Sequence, residues 1–258
     1  MPETDLNLLI DAARQSGDIA RSFFGKNPQV WDKADDAGPV TAADLAVNEM
    51  LVDVLGGARP DYGWLSEETE DDDARLATKR QFLVDPIDGT RAFIQGSKDW
   101  AHSLAIVEDG AVVAAAVYLP MRDQMFSARL GGGAFCNGAA IRVSQQASLC
   151  DAQVLSHKAN LRPEFWQSGC APQMHLAFRS SLAYRLCLVA NGAFDAMLTL
   201  RPTWEWDVAA GILILTEAGG TATTQTGAAP VFNNPHPQLA GLVAAGQTHQ
   251  EICAQLRA

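Results

Sequence analysis

The run with the most chemistry in it is Asp85-Pro86-Ile87-Asp88-Gly89-Thr90, where the apolar stretch at residues 81–84 ends. Two carboxylates three residues apart, with a proline between them, can both turn toward one point. A cation of the Mg²⁺ type wants about six oxygen ligands and takes only a few carboxylates, leaving room for water and an anionic substrate. Gly89 lets backbone approach such an anion closely. If a helix starts here, its free N–H groups and positive dipole end favour negative charge. A capped turn would use the same residue types. Both readings stay open for the hexapeptide by itself.

Further acids could complete a cation site. Glu67-Glu68 lies upstream, Trp206-Asp207 opens a helical pattern far downstream, and Asp44 stands three residues after Thr41. Each has an ordinary alternative: solvated surface for Glu67, a helix N-cap for Asp207, a capping-box acid for Asp44. Spacing alone does not show that they converge.

The elements that must position these residues follow from periodicity. Leu6, Ile10, Ala13, Gly17, Ala20 and Phe24 mark an amphipathic first helix capped by Thr4 or Asp5 and stopped at Gly25. Residues 26–39, with prolines, glycine and aspartates, predict a polar, mobile loop. Thr41 caps a second helix to about Leu55, with Leu45, Leu51 and Leu55 on its apolar face. Residues 67–73 are an acidic run. Strands at 81–84, 103–107, 112–119, 124–128 and 134–136, with hairpin signals at Glu108-Asp109-Gly110 and Asn137-Gly138, predict an antiparallel sheet. Beyond Ser144 short strands alternate with helices: helix 182–191, strand 194–200, helix 208–218, strand 241–245 and a final helix. The expected division is 1–143, an α+β half with most of the acids, and 144–258, an α/β half supplying Asp207.

Bulk properties narrow the class. The chain has 258 residues, 48% hydrophobic and 19% charged, with a net charge of −11. No basic patch offsets that charge, so nucleic acid is excluded as a partner. Five scattered cysteines without CxxC spacing argue against disulfides and zinc and suit a reducing cytoplasm. No apolar run is long enough to span a bilayer, so a soluble, cytoplasmic protein without membrane contact is expected. The five histidines have no zinc spacing and are assigned structural or surface roles.

Taken together, the motifs resemble the inositol monophosphatase superfamily of Mg²⁺-dependent, lithium-sensitive phosphatases. The resemblance runs through Lys33-Ala34-Asp35, Pro39-Val40-Thr41-Ala42-Ala43-Asp44, Glu67-Glu68 and the hexapeptide. It continues through Gly133-Ala134-Phe135-Cys136-Asn137-Gly138, Trp206-Asp207-Val208-Ala209-Ala210-Gly211 and Glu217-Ala218-Gly219-Gly220. It implies an α/β fold, a layered αβαβα sandwich with the site between its halves. It also implies that Glu67, Asp85 and the Ile87 carbonyl hold one Mg²⁺, and that Asp85, Asp88 and Asp207 hold a second. Thr90, bonded to Asp44, would orient and deprotonate water, and Gly89 and Thr90 would bind phosphate. A mobile loop with Lys33 and Asp35 would close over the site and assist a third metal. Mn²⁺ as a substitute, inhibition by Li⁺ and a homodimer are further family expectations.

For the substrate, Arg201-Pro202-Thr203-x-x-Trp206-Asp207 is similar to a motif of 3'(2'),5'-bisphosphate nucleotidases. Leu200 stands where inositol-specific members carry glutamate. The expectation is therefore hydrolysis of a small phosphate monoester, nucleotidase-like first, then inositol 1-phosphate, then histidinol phosphate. Arg179, Arg201, Thr203 and Glu205 are the implied substrate contacts. The rival from another class is a non-catalytic regulatory protein on the same fold. Such proteins lose a ligand or the activated threonine, and here all are present.

Overall fold

The computed structural model describes residues 4–33 and 38–257. Its strands are β1 (Val30–Asp32), β2 (Pro39–Thr41), β3 (Gly63–Ser66), β4 (Arg80–Asp88), β5 (Ala101–Glu108), β6 (Ala111–Leu119), β7 (Gln124–Arg129), β8 (Ala134–Cys136), β9 (Ala139–Ala140), β10 (Gln153–Ser156), β11 (His175–Ala177), β12 (Ala196–Thr199), β13 (Thr203–Trp204), β14 (Thr221–Thr223), β15 (Gln238–Leu239) and β16 (Leu242–Ala245). The helices are α1 (Asp5–Phe23), α2 (Ala42–Leu51), α3 (Thr90–Ile94), α4 (Leu182–Ala190), α5 (Glu205–Glu217) and α6 (His249–Gln255).

Alternation along the strands decides the layering. In the seven-stranded sheet, ordered β3-β4-β5-β6-β7-β8-β9, Phe82, Val84, Leu104 and Ile106 face α1 and α2. The intervening Leu83, Ala105 and Val107 pack with α4 and α5. The five-stranded sheet, β11-β10-β12-β16-β14, turns Leu155, Met197 and Ala244 toward α4 and α5. Its other face puts Val154, Leu198 and Val243 in a cluster with Trp166 and Ile252 of α6. The layers are therefore α1/α2, large sheet, α4/α5, small sheet, α6: the expected αβαβα sandwich. Helix α5 is buried from Val208 through Leu215, because a helix between two sheets must be apolar all round.

Several expectations change in detail. Helix α1 is capped by Thr4, whose hydroxyl accepts from Asn7 N. On α2, Leu45 is 43% exposed, and Ala43, Val47 and Leu51 form the buried face. The segment expected as a loop at 26–39 carries β1, paired antiparallel with β2. Asp35 lies outside the described residues. Strand β3 was not foreseen, and it pairs parallel with β4, so the large sheet is not wholly antiparallel. Strand β4 runs on through Pro86 to Asp88, and α5 begins at Glu205. Among the described residues no helix is long and apolar enough to cross a membrane.

Candidate active site

Two features of the sheet bring three distant acids together. Because β3 and β4 are parallel, with Ser66 opposite Val84, the residue after β3 arrives beside Asp85; Glu67 N donates to the Val84 carbonyl at 3.1 Å. On the other side of β4, Asp85 pairs with Ser103 and Asp88 with Ala101. Three steps on β4 thus oppose two on β5, a bulge with one extra residue. In a regular strand Asp85 and Asp88 would face opposite ways. The extra residue restores parity, so both follow Ser103 and Ala101 toward the α4/α5 layer. Ile87 points the other way and is buried against α1 and α2.

Helix α5 delivers the third acid from that layer. Its start is tied to the sheet by Ser103 Oγ, which donates to the Trp206 carbonyl at 3.0 Å. Carboxylate oxygens of Glu67, Asp85 and Asp207 lie within 4.8 Å of one another. Asp85 is 1% exposed and its Oδ1 has no hydrogen-bond partner. Burial, then the neighbouring Glu67, Asp88 and Asp207, holds its pKa well above the ordinary carboxylate value. Asp207 is raised likewise by burial and then by Asp88 and Glu67. An orphaned, crowded carboxylate oxygen among acids is the environment a divalent cation relieves, and an all-oxygen donor set suits Mg²⁺ or Mn²⁺ over zinc.

Asp88 stands beside this trio, outside its 4.8 Å limit. Its Oδ2 accepts from Ser181 Oγ at 2.6 Å and Ala183 N at 2.7 Å, at the N-terminus of α4. Burial raises its pKa to about 6, opposed by those hydrogen bonds. Ser181 is also the N-cap of α4, and its sequence context as an ordinary cap hid the contact with Asp88.

Thr90 and Asp44 meet as the resemblance implied. Thr90 Oγ1 lies 3.1 Å from both Asp44 Oδ1 and the Ile87 carbonyl, and its one proton can serve either. Asp44 Oδ2 accepts from Thr41 N and Oγ1, the reciprocal half of a capping box. The capping and catalytic readings of Asp44 are therefore compatible, one oxygen for each. Burial raises the Asp44 pKa above the usual range. Gly89 precedes α3 with φ +101°, and a Cβ there would meet the Asp99 carbonyl at 3.2 Å, so only glycine fits.

Lys33 Nζ bridges Glu67 Oε1 and Glu68 Oε1, each at 2.7 Å. Burial, then Glu67, pushes Glu68 to about 7. His102, expected to be structural, is fully buried with Nδ1 bonded to the Pro86 carbonyl. That contact supports the hexapeptide from behind.

The implied substrate contacts fare differently. Glu205 is 0% exposed and spends both oxygens on Asn233 N and on the backbone and side-chain nitrogens of Asn234, which withdraws it from any substrate. Thr203 is buried, its hydroxyl donating to the Arg201 carbonyl, so it too is structural. Arg201 remains exposed, while Arg179 is half-exposed, 3.7 Å from Asp99. Sequence reasoning missed Arg185, which is buried, donates to the Arg179 carbonyl at 2.6 Å and covers the Phe178 ring at 4.5 Å. Its place within the apolar α4 pattern gave no signal.

Comparison with known proteins finds relatives over the whole chain. The model of the inositol monophosphatase family matches residues 1–258. An inositol-1-monophosphatase of Rhizobium meliloti is 32% identical over 253 residues, covering 95% of this chain and 92% of its own. A histidinol-phosphatase of Mycobacterium tuberculosis is 34% identical over 270 residues, covering 100% of both chains. Extragenic suppressor protein suhB from Bartonella henselae superposes with a TM-score of 0.82 at 30% identity, with 96% of each chain covered. The chain belongs to the inositol monophosphatase family and is a metal-dependent phosphatase.

Proposed function

We propose that this chain hydrolyses inositol 1-phosphate with Mg²⁺ as its cation. The observation that carries the reading is the Glu67–Asp85–Asp207 cluster beside the Thr90–Asp44 pair. The substrate assignment is supported by relatives named inositol-1-monophosphatase, and these favour it over the nucleotidase-like reading suggested by the motif around Thr203. Histidinol phosphate is the second reading, favoured by the full-length match to the Mycobacterium tuberculosis protein.

In this proposal Glu67, Asp85, Asp88, Asp207 and the Ile87 carbonyl hold the cations. Bound Mg²⁺ would neutralise phosphate oxygens and lower the pKa of water. Mn²⁺ is expected to substitute and Li⁺ to inhibit. Gly89 and Thr90 hold the phosphate through their backbone groups. Thr90 donates its proton to Asp44 and turns a lone pair toward water, so a proton can pass from water through Thr90 to Asp44. The raised pKa of Asp44 makes it a better acceptor than an ordinary carboxylate.

Thr90→Val should therefore lower kcat by about 10²–10⁴-fold, with KM nearly unchanged, while Thr90→Ser restores much of it. Steady-state kinetics decide the matter. A Thr90→Val enzyme of near-normal kcat removes the hydroxyl from the mechanism.

Substrate choice is settled by comparing kcat/KM, with Mg²⁺, for inositol 1-phosphate, histidinol phosphate, adenosine 3',5'-bisphosphate and fructose 1,6-bisphosphate. Inositol 1-phosphate is expected first and histidinol phosphate second. First place for the adenosine compound would return the nucleotidase reading. No phosphate release from any of them would overturn this substrate and cation assignment.

A further inference from the structure

Outside the acidic cluster, the most heavily bonded buried charge among the described residues is Arg75. It lies in the 3₁₀ turn Asp73–Ala77, which links β3 to β4, the two strands that place Glu67 and Asp85. Arg75 is 2% exposed. Its Nε and Nη2 fork onto Asp71 at 2.6 and 2.8 Å. Its Nη1 and Nη2 reach across to Asn233 Oδ1 at 2.6 Å and the Asn234 carbonyl at 2.9 Å. Asn233 and Asn234 in turn clasp Glu205, the first residue of α5 and two positions from Asp207. Glu205 N donates to the Pro237 carbonyl at 2.9 Å, so the 233–237 segment is fixed to the start of α5 at both ends. The turn carrying Arg75 is seated flush on β3: a Cβ at Gly63 would lie 3.0 Å from the Arg75 Cα.

A continuous polar chain thus runs from the β3–β4 connection to the helix that brings in Asp207. An arginine suits it because a rigid, planar fork fixes two partners at once, whereas a lysine holds a point contact. A buried bridge of this kind adds little net stability against its desolvation cost, so the property at issue is the fixed geometry of its fork. Its two ends are anchored to the elements bearing Glu67 and Asp85 on one side and Asp207 on the other. The separation between those elements is the one across which the proposed cation would be held.

We propose that Arg75 is a positioning residue for the cation site, acting through Asn233, Asn234 and Glu205 to set Asp207 against Glu67 and Asp85. The inference rests on the proposed cation-binding role of those three acids.

Direct calorimetric titration of the purified full chain with Mn²⁺ tests it without reference to activity. Arg75→Lys keeps the charge and loses the fork, and should raise the Mn²⁺ Kd about 10-fold, the lower end of what outer-shell partners contribute. Asn234→Ala, which cuts the same chain at another link, should raise it similarly. Asn160→Ala removes bonds to Ser156 Oγ and the Leu198 carbonyl at the small sheet. It should lower the melting temperature and leave the Kd unchanged. Asp207→Asn calibrates the site. If Asp207→Asn weakens Mn²⁺ binding while Asn234→Ala and any folded Arg75→Lys bind like the parent, the positioning role is overturned. If Asp207→Asn itself binds like the parent, the cation-site reading falls and the Arg75 proposal falls with it. Should Arg75→Lys fail to fold, Asn234→Ala decides. A rise in Kd for Asn160→Ala equal to that of Asn234→Ala would show a merely structural effect and overturn the proposal.

Discussion

Asp85→Asn is expected to abolish most activity and, in metal-free buffer near neutral pH, to melt higher than the parent. The loss in kcat/KM should be at least about 10²–10³-fold, the scale of removing one preorganised charge-stabilising group. The gain in stability follows from the cost of the native charge. Asp85 is buried, its Oδ1 is unpartnered, and Glu67, Asp88 and Asp207 crowd it. Its folded pKa is therefore above its unfolded value. For a group shifted upward, the stability contribution is present below the unfolded pKa and disappears as pH rises through the folded one. Parent and variant should melt alike near about pH 4, and the variant's advantage should open as pH approaches neutrality. Calorimetry across that range in chelator is the measurement. A parent more stable than Asp85→Asn at neutral pH would contradict the account of the site as a crowded set of acids awaiting a cation.

The same crowding predicts a large, pH-dependent response to divalent metal. A cation that binds only the folded chain at 100 times its Kd stabilises it by about 2.7 kcal/mol. For a chain of this size that corresponds to a rise in Tm of roughly 5–10 °C. Protons compete for the same oxygens. Asp88 has its pKa raised to about 6, and Asp85 and Asp207 are shifted in the same direction. The Mg²⁺-induced shift should therefore be largest above about pH 7 and shrink as the pH falls through about 6. Asp207→Asn should reduce it at every pH. Thermal scans with and without Mg²⁺ test this directly. An equal shift in parent and Asp207→Asn would move the bound cation elsewhere.

The motif residues were legible because their types are chemically narrow, and three of them, Glu67, Asp85 and Asp207, do come together. How they meet was not legible. Strand β3 is only Gly63–Ser66 and runs straight into an acidic run, so its alternation is too short to register. The apolar run at 81–84 set the expected end of the strand at Asp85, yet β4 continues to Asp88 because Pro86 sits at a bulge, where its missing N–H costs no ladder bond. That bulge turns Asp85 and Asp88 to one face, and no periodicity count would show it. Glu205 and Thr203 were misread for a related reason. Both are polar residues near a site motif, and only the fold shows that Asn233 and Asn234 consume the one and the Arg201 carbonyl the other. For Glu205 the partners lie 28 and 29 residues away and leave no local sequence signature.

The position of α5 has a further consequence, for the order in which the molecule becomes itself. This helix is the shared floor of two sheets, and Asp207 is in its first turn. No partly folded form with only the large sheet in place can present Asp207 to Glu67 and Asp85. The proposed cation site is therefore complete only once α5 is docked on the large sheet, and a chain without that docking is expected to bind the cation weakly.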